Sequence, residues 1–481
     1  RLRQHAEHRR LSRQHARRGD GEHDEGEARG QRDQGHDIGS TAPDERRVET
    51  DGEVLARDTE GSGEAGATGA KNRGILPWAL VDLNYSGPFT SNLSFVTLGA
   101  TNNNVRPLDA AEYDIDPTVF GGTAQGVVTN SNVLLTAASG ATLAMAANTQ
   151  RNSLTIEGGA GLALADGVQF NLRSGGILVR PGSTSTISGG VINQINSLSG
   201  LNIWTVGDLT ISSALAGGNG INAGQPSLVK SGAGTLTIAP VASTINGLGT
   251  VGTNTMSGLL SINQGTLKLG ATNALQANNY FSAIGGTLDL NAKSQFFYSV
   301  FTESTVTNRG TLITSSSGHG HFLLNQDSGN DRLLASRITG DVSFTRSGQK
   351  TLNLYGASDH TGETLINGGL TVMYGDAAFS GTSALNISYA NLYLDNKNSI
   401  TDNLNRINDA ATVNMRGGYF EFRGREQAFS SETLGTVNVL AGEPTFVSVI
   451  GGSGDNSATL TLSNLVRSAG TVVNFQGGLT N

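Results

Sequence analysis

The tripeptide Gly-Thr-Leu occurs four times, at Gly234-Thr235-Leu236, Gly265-Thr266-Leu267, Gly286-Thr287-Leu288 and Gly310-Thr311-Leu312. A Gly-Thr-Val variant starts at Gly249, Gly435 and Gly470. The steps between the Leu copies fall within the range of about 20 to 50 residues that marks stacked repeat architectures. In those, each unit buries its apolar face only against its neighbours. An enzyme pocket needs singular residues, whereas this chain repeats itself. The repetition predicts a scaffold.

Apolar residues two positions apart recur along the chain, as in Leu209/Ile211, Leu236/Ile238, Leu267/Leu269, Leu288/Leu290, Leu352/Leu354, Leu392/Leu394 and Phe420/Phe422. Such pairs put two apolar side chains on one face of a short strand and the intervening residue on the other. The chain holds 66 glycines but only 9 prolines, which suits many tight turns between strands. Helical windows are scarce, and Asp109 to Tyr113 predicts a single helical turn. The fold class is all-β. Sandwich, propeller and solenoid all use many short strands. Asn-Gly hairpin signals occur at Asn219, Asn246 and Asn367, too few for many antiparallel pairs, and no Trp-Asp blade signature is present. The two shorter Gly-Thr-Leu steps, from Gly265 to Gly286 and from Gly286 to Gly310, match one coil of a right-handed parallel β-helix. Such a coil turns Leu, Ile and Val inward and stacks Asn or Thr into ladders.

Residues 1–71 are a different text: 29 of them are charged, against 43 of the remaining 410, and they contain no Phe, Tyr, Trp or Asn. Such a segment cannot bury enough apolar surface to offset its chain entropy, so disorder is expected. Two origins fit it: a solvated tail, or an out-of-frame translation joined to the genuine protein near Asn72. Its Arg18-Gly19-Asp20 has the form of an integrin-recognition tripeptide. Residues 72–117 read as a linker or the tail of a preceding repeat unit, and 118–481 as the β-helix. The net charge of −8 argues against a general nucleic-acid binder, and the lack of cysteine removes disulfides, thiolate metal sites and Cys nucleophiles. No window of about 18 apolar residues exists. The chain starts at Arg1 with no apolar signal core, as expected of a fragment or of a chain that has lost its signal.

A longer unit is also visible. Leu228-Val229-Lys230-Ser231-Gly232-Ala233-Gly234-Thr235-Leu236-Thr237-Ile238 aligns with Phe344-Thr345-Arg346-Ser347-Gly348-Gln349-Lys350-Thr351-Leu352-Asn353-Leu354 at a constant offset of 116. Each copy is followed by an Ile-Asn-x-Gly element, at Ile262 to Gly265 and at Ile366 to Gly369. The two copies, about 227–270 and 343–375, resemble the autotransporter-associated β-strand repeat; Lys350 stands where that pattern has Gly. Gly74 to Ala79 and Leu465 to Phe475 are similar to segments of large surface proteins with such repeats, in reversed order, as in a piece cut from a longer array. The resemblance implies a secreted passenger domain displayed at a bacterial cell surface or outer membrane. Membrane association would then run through a barrel or anchor not present in this chain.

Candidates for chemistry are few. His319-Gly320-His321 places two imidazoles at strand spacing, a possible two-point metal site, with an exposed turn as the plainer reading. Gly451-Gly452-Ser453-Gly454-Asp455 echoes a calcium-binding repeat but occurs once. Asp114 and Asp116, and Asp327 with Asp331 and Arg332, are the nearest approach to clustered acids; the others (Asp289, Asp341, Asp359, Asp395, Asp402, Asp409) are scattered. Phe296-Phe297-Tyr298 and Tyr419/Phe420/Phe422 suit either sugar stacking or core filling. No catalytic, cofactor-binding or metal residue is assigned. The leading expectation is a non-enzymatic structural or adhesive protein that meets other cells, matrix or glycans through surface loops and does not bind nucleic acid. The rivals are a polysaccharide-cleaving β-helix enzyme, which needs three acids and a basic residue converging in one lateral groove, and a reading-frame fragment without its own function.

Overall fold

The computed structural model describes residues 66–480 except 83–91, 100–104, 118–129, 137–140, 196–199, 218–225, 242, 246–248, 252–253, 283, 302–308, 328, 330, 400 and 453. The described residues all belong to one unit, Asp51–Asn481. Expectations for residues 1–65, including Arg18-Gly19-Asp20, and for Asn219-Gly220 and Asn246-Gly247 lie outside them.

Parallel pairing between successive turns organises the chain as a β-solenoid. A first ladder runs from Tyr113–Ile115 through Leu201–Thr205 and Pro226–Ser231 to Ser299–Val300, and a second from Thr142–Met145 to Leu312–Thr314. A third ladder begins at Ser294–Phe297 and ends at Ser457–Arg467; a fourth spans Arg332–Leu334 to Asn474–Thr480. The Gly-Thr-Leu copies open successive rungs of the second ladder. Leu209, Leu236, Leu267, Leu288 and Ile313 stack in register and are at most 1% exposed. Each such side chain stabilises the fold by roughly 1.5–3 kcal/mol relative to exposure. The fourth copy has slipped by one, so that Thr287 pairs with Leu312. Phe281, Phe297, Phe322, Phe344 and Phe379 continue the core into the third ladder at ring spacings of 5.1 to 6.0 Å.

Turn length is free while register is kept. The turn that brings Leu352 to its partner Thr371 is short, whereas the chain between Leu228 and its partner Leu260 is far longer. The longer turn contains an antiparallel pair, Ser243–Ile245 with Gly249–Val251. Gly249 therefore opens an excursion and not a rung. Gly470, at φ +83°, lies between strands. Asn367-Gly368 turns a corner between the third and fourth ladders and closes no hairpin.

The longer repeat acquires a physical meaning. Lys230 pairs with Ile262 and Arg346 with Ile366, so each repeat copy covers two adjacent rungs. Both cations are fully buried. Lys230 Nζ donates to the carbonyls of Ser231 (3.1 Å), Gly232 (2.7 Å) and Gln264 (2.9 Å). Arg346 donates to the carbonyls of Gly348 (2.6 Å), Gly368, Lys350 and Leu370 (3.2 Å). In each case the acceptors lie at strand ends and corners of both rungs, and the cation joins them. Burial pushes Lys230 down to about 7 and Arg346 down to about 10. The carbonyls, which can only accept, oppose that shift by matching the donors of the charged forms. Gly265 (φ +70°) and Gly369 (φ +59°) sit under the head groups; a Cβ there would come within 2.7 Å of Lys230 Nζ or 2.5 Å of Arg346 Nη1.

Residues 72–117, read above as a linker or repeat tail, include three antiparallel strands, Leu76–Val81, Ser94–Leu98 and Val105–Pro107. Phe95, Ile75 and Leu93 pack with Leu134 and Leu178 of the first ladder. Gly176 permits this, because a Cβ there would lie 2.9 Å from Phe95 Cζ. Trp204 Nε1 donates to the Pro77 carbonyl at 2.9 Å. The single expected turn is present as the 3-10 segment Ala110–Glu112, and parallel rungs start at Tyr113. Residues 66–71, at the end of the charged stretch, are small and uncharged up to Lys71. They are tied down: Gly69 N–H donates to Glu112 (2.9 Å) and Lys71 pairs with Asp114 (2.9 Å). Among the described residues no helix is long and apolar enough to cross a membrane.

Replacing Gly369 with Ala combines left-handed strain with displacement of Arg346. We expect a loss of about 2–4 kcal/mol in urea unfolding. Gly182, at φ +72° with open space around it, is the control. There the same substitution should cost only about 1–2 kcal/mol.

Candidate adhesive face

Strands of the third ladder alternate between buried and part-exposed residues, as in Ala384–Ser388, so one set fills the core and the other forms an outer row. Thr345, Leu365, Asn386, Asn414 and Asn438 follow one another in register along that row. Asn414 Nδ2 donates to Asn386 Oδ1 and Asn438 Nδ2 to Asn414 Oδ1, each at 2.9 Å. Asn386 Nδ2 donates in turn to Glu363 Oε2 at 3.0 Å. A shallow groove of about 380 Å³ lies over this ladder, lined by Glu363, Leu365, Asn386, Ser388, Asn414 and Arg416. One acid, one base and a row of amides can exchange hydrogen bonds with a hydroxyl-rich ligand. The groove does not bring together the three acids that polysaccharide cleavage would need.

The other sequence candidates are placed as follows. His319 Nδ1 lies 2.6 Å from Asp341, and His321 Nε2 lies 2.8 Å from Thr345 Oγ1, so the two rings turn to different partners. Asp114 pairs with Lys71, while Asp116 accepts from the backbone and hydroxyl of Thr136. Asp327 and Asp331 accept from the N–H groups of Gln349 and Thr351 in the next turn, and Arg332 lies over the Phe301 ring at 4.8 Å. Asp289 holds Ser316, Asp359 pairs with Arg337 at 2.5 Å, and Asp402 accepts from Asn396 and Ser430. Of these, Asp116, Asp289, Asp327 and Asp331 each accept from a backbone N–H of a neighbouring turn. Asp455 sits in the turn before Ser457–Arg467. Phe297, Phe420 and Phe422 are fully buried core, whereas Tyr419 meets Tyr393 edge to face at the surface.

Sequence reasoning missed three buried polar groups, of which only Glu432 lies within a strand, while Arg406 and His360 sit in polar connecting segments with no local signal of burial. Arg406 is fully buried and donates to Asn396 Oδ1 (2.6 Å) and the Ala377 carbonyl (2.7 Å). Glu432 accepts from the N–H groups of Arg406 (3.0 Å) and Ile407 (2.8 Å); burial nevertheless pushes its pKa up to about 7. His360 is fully buried beside Phe379 and hydrogen-bonds Thr364 Oγ1 at 2.8 Å. Burial lowers its pKa from 6.5 to about 4.

No family model matches the chain. No solved structure matches it either. Among curated proteins the chain is similar to the adhesin BmaC autotransporter of Brucella suis biovar 1 (strain 1330), at 26% identity over 220 residues. That match spans 45% of this chain and 5% of the relative.

Two outcomes follow from this chemistry. Asn414→Ala removes both ladder hydrogen bonds and should lower stability by about 1–3 kcal/mol in urea unfolding. For His360, the unfolded chain takes up a proton below its ordinary pKa of 6.5, and the folded site refuses it until about 4. Its contribution to stability is therefore lost as pH falls through that window. The stability difference between wild type and His360→Phe should move in favour of the variant by about 3 kcal/mol from pH 7 to pH 4. A pH-independent difference would refute the assignment.

Proposed function

We propose that the solenoid is a structural, adhesive passenger-type segment displayed outside a bacterial cell, and that the outer face of its third ladder contacts glycans or matrix on other cells. The observation that carries this reading is the amide row Asn386–Asn414–Asn438, with Ser388 and Arg416 beside it in an open groove. Rows of this kind offer paired donors and acceptors at one rung spacing, which suits an extended hydroxyl-rich polymer better than a small enclosed substrate. The distant likeness to an autotransporter adhesin supports a surface address and an adhesive role. Glu363 and Arg416 are the charged residues lining the groove, which favours binding over bond cleavage there.

The test is binding of the purified chain to glycan and matrix arrays. Saturable binding is expected, and Ser388→Arg with Arg416→Glu should weaken it at least about tenfold, or about 1.4 kcal/mol. Both positions lie beside the amide ladder and not in it, so circular dichroism should remain unchanged. Binding that is absent, or indifferent to these changes, would remove the adhesive reading of this face.

A further inference from the structure

We propose that Ser343, His319 and Asp341 form a nucleophile–base–carboxylate triad able to take an acyl group from a small carboxylic ester. Ser343 Oγ lies 3.1 Å from His319 Nε2, and His319 Nδ1 lies 2.6 Å from Asp341 Oδ1. A carboxylate can only accept, so the Nδ1 proton is the one donated to Asp341. In the neutral ring Nε2 then carries a lone pair and accepts the hydroxyl proton of Ser343. That is the tautomer and direction nucleophile activation requires.

The ladder fixes this geometry. His321 pairs with Ser343, and Gly320 N–H donates to the Asp341 carbonyl at 2.9 Å. Residues about one turn apart in sequence are thus brought together by rung register. Gly320 is itself pinned, since a Cβ there would come within 2.9 Å of Leu290 Cβ and Ser315 Cβ. The neighbouring His321 is held toward its neutral form by burial first and by His319 second, against the pull of Glu363. A second imidazolium beside the triad is therefore disfavoured. The His319 and Asp341 side chains are 56% and 53% exposed, and Ser343 only 4%. Because Ser343 is nearly buried beneath the exposed imidazole, the proposal is confined to a small acyl group such as acetyl.

The reaction balances without a cofactor. Ser343 Oγ attacks the ester carbonyl carbon while its proton passes to His319 Nε2. The tetrahedral intermediate collapses, the bond to the leaving alcohol breaks, and His319 returns the proton to that alcohol. Water, deprotonated by His319, then attacks the acyl carbon; the bond to Ser343 Oγ breaks, His319 returns the proton to Oγ, and a carboxylic acid is released. Asp341 is a positioning residue that holds the ring and stabilises its charged form. This activity goes beyond the adhesive reading and does not rest on it.

The full chain should be treated with a small alkyl fluorophosphonate, which forms an O–P bond with loss of fluoride, and the adduct located by peptide mass spectrometry. We expect modification of Ser343. Ser347, on the same strand but donating to Asn325 at 3.1 Å, should stay unmodified. His319→Ala should slow labelling about 100-fold or more. Asp341→Asn should slow it at least about tenfold and alter its pH–rate profile, with circular dichroism unchanged. Ser343→Ala should abolish both the adduct and any acid release from p-nitrophenyl acetate above the rate with denatured chain. An unmodified Ser343, equal labelling of Ser343 and Ser347, or a rate indifferent to His319→Ala would each overturn the proposal.

Discussion

Everything in this solenoid depends on closing the hydrogen bonds at its corners. Along a rung the backbone is satisfied by the strand above and the strand below, but at some corners the carbonyls are met by a side chain instead, as Lys230 meets those of Gly232 and Gln264. An unpaired buried carbonyl costs on the order of 1–3 kcal/mol. Lys230 and Arg346 meet that need, each gathering carbonyls from two turns at once. The basic residue of the repeat is thus an internal fastener between rungs, and the glycines beneath it are empty space reserved for its head group.

Period-two alternation then gives the same strands two independent jobs. One set of side chains makes the apolar columns, such as Leu236–Leu267–Leu288, and the other is displayed outward at the same register. Stacking turns any outward choice into a row, so the Asn386–Asn414–Asn438 ladder is supported from within by the buried column Ile387, Met415 and Val439. Ser343 and Asp341 reach His319 by the same logic: neighbours on the face are residues about one turn apart in sequence.

Much of this was legible in the chain. The apolar pairs and the Gly-Thr-Leu steps marked the rungs, and the alignment of the two longer copies marked a repeated unit, because core columns demand the same residue types at the same place in each turn. Other features had no local signal. Phe95 seats on Gly176, which comes several turns later, so the lateral sheet could not be read from residues 72–117. Gly249 and Gly470 carry the rung motif without forming rungs, since a Gly-Thr pair also suits a hairpin or a turn. The role of Lys230 required knowing which carbonyls surround it, and that of His319 required the rung register.

The turn that carries Leu228 to Leu260 holds an extra antiparallel pair, yet the rungs on either side keep their partners. This excursion therefore leaves the ladders it joins undisturbed. A corner whose carbonyls are not held by a buried cation can be lengthened without altering the core columns. The ladders hold the shape while such corners are free to differ in length and chemistry.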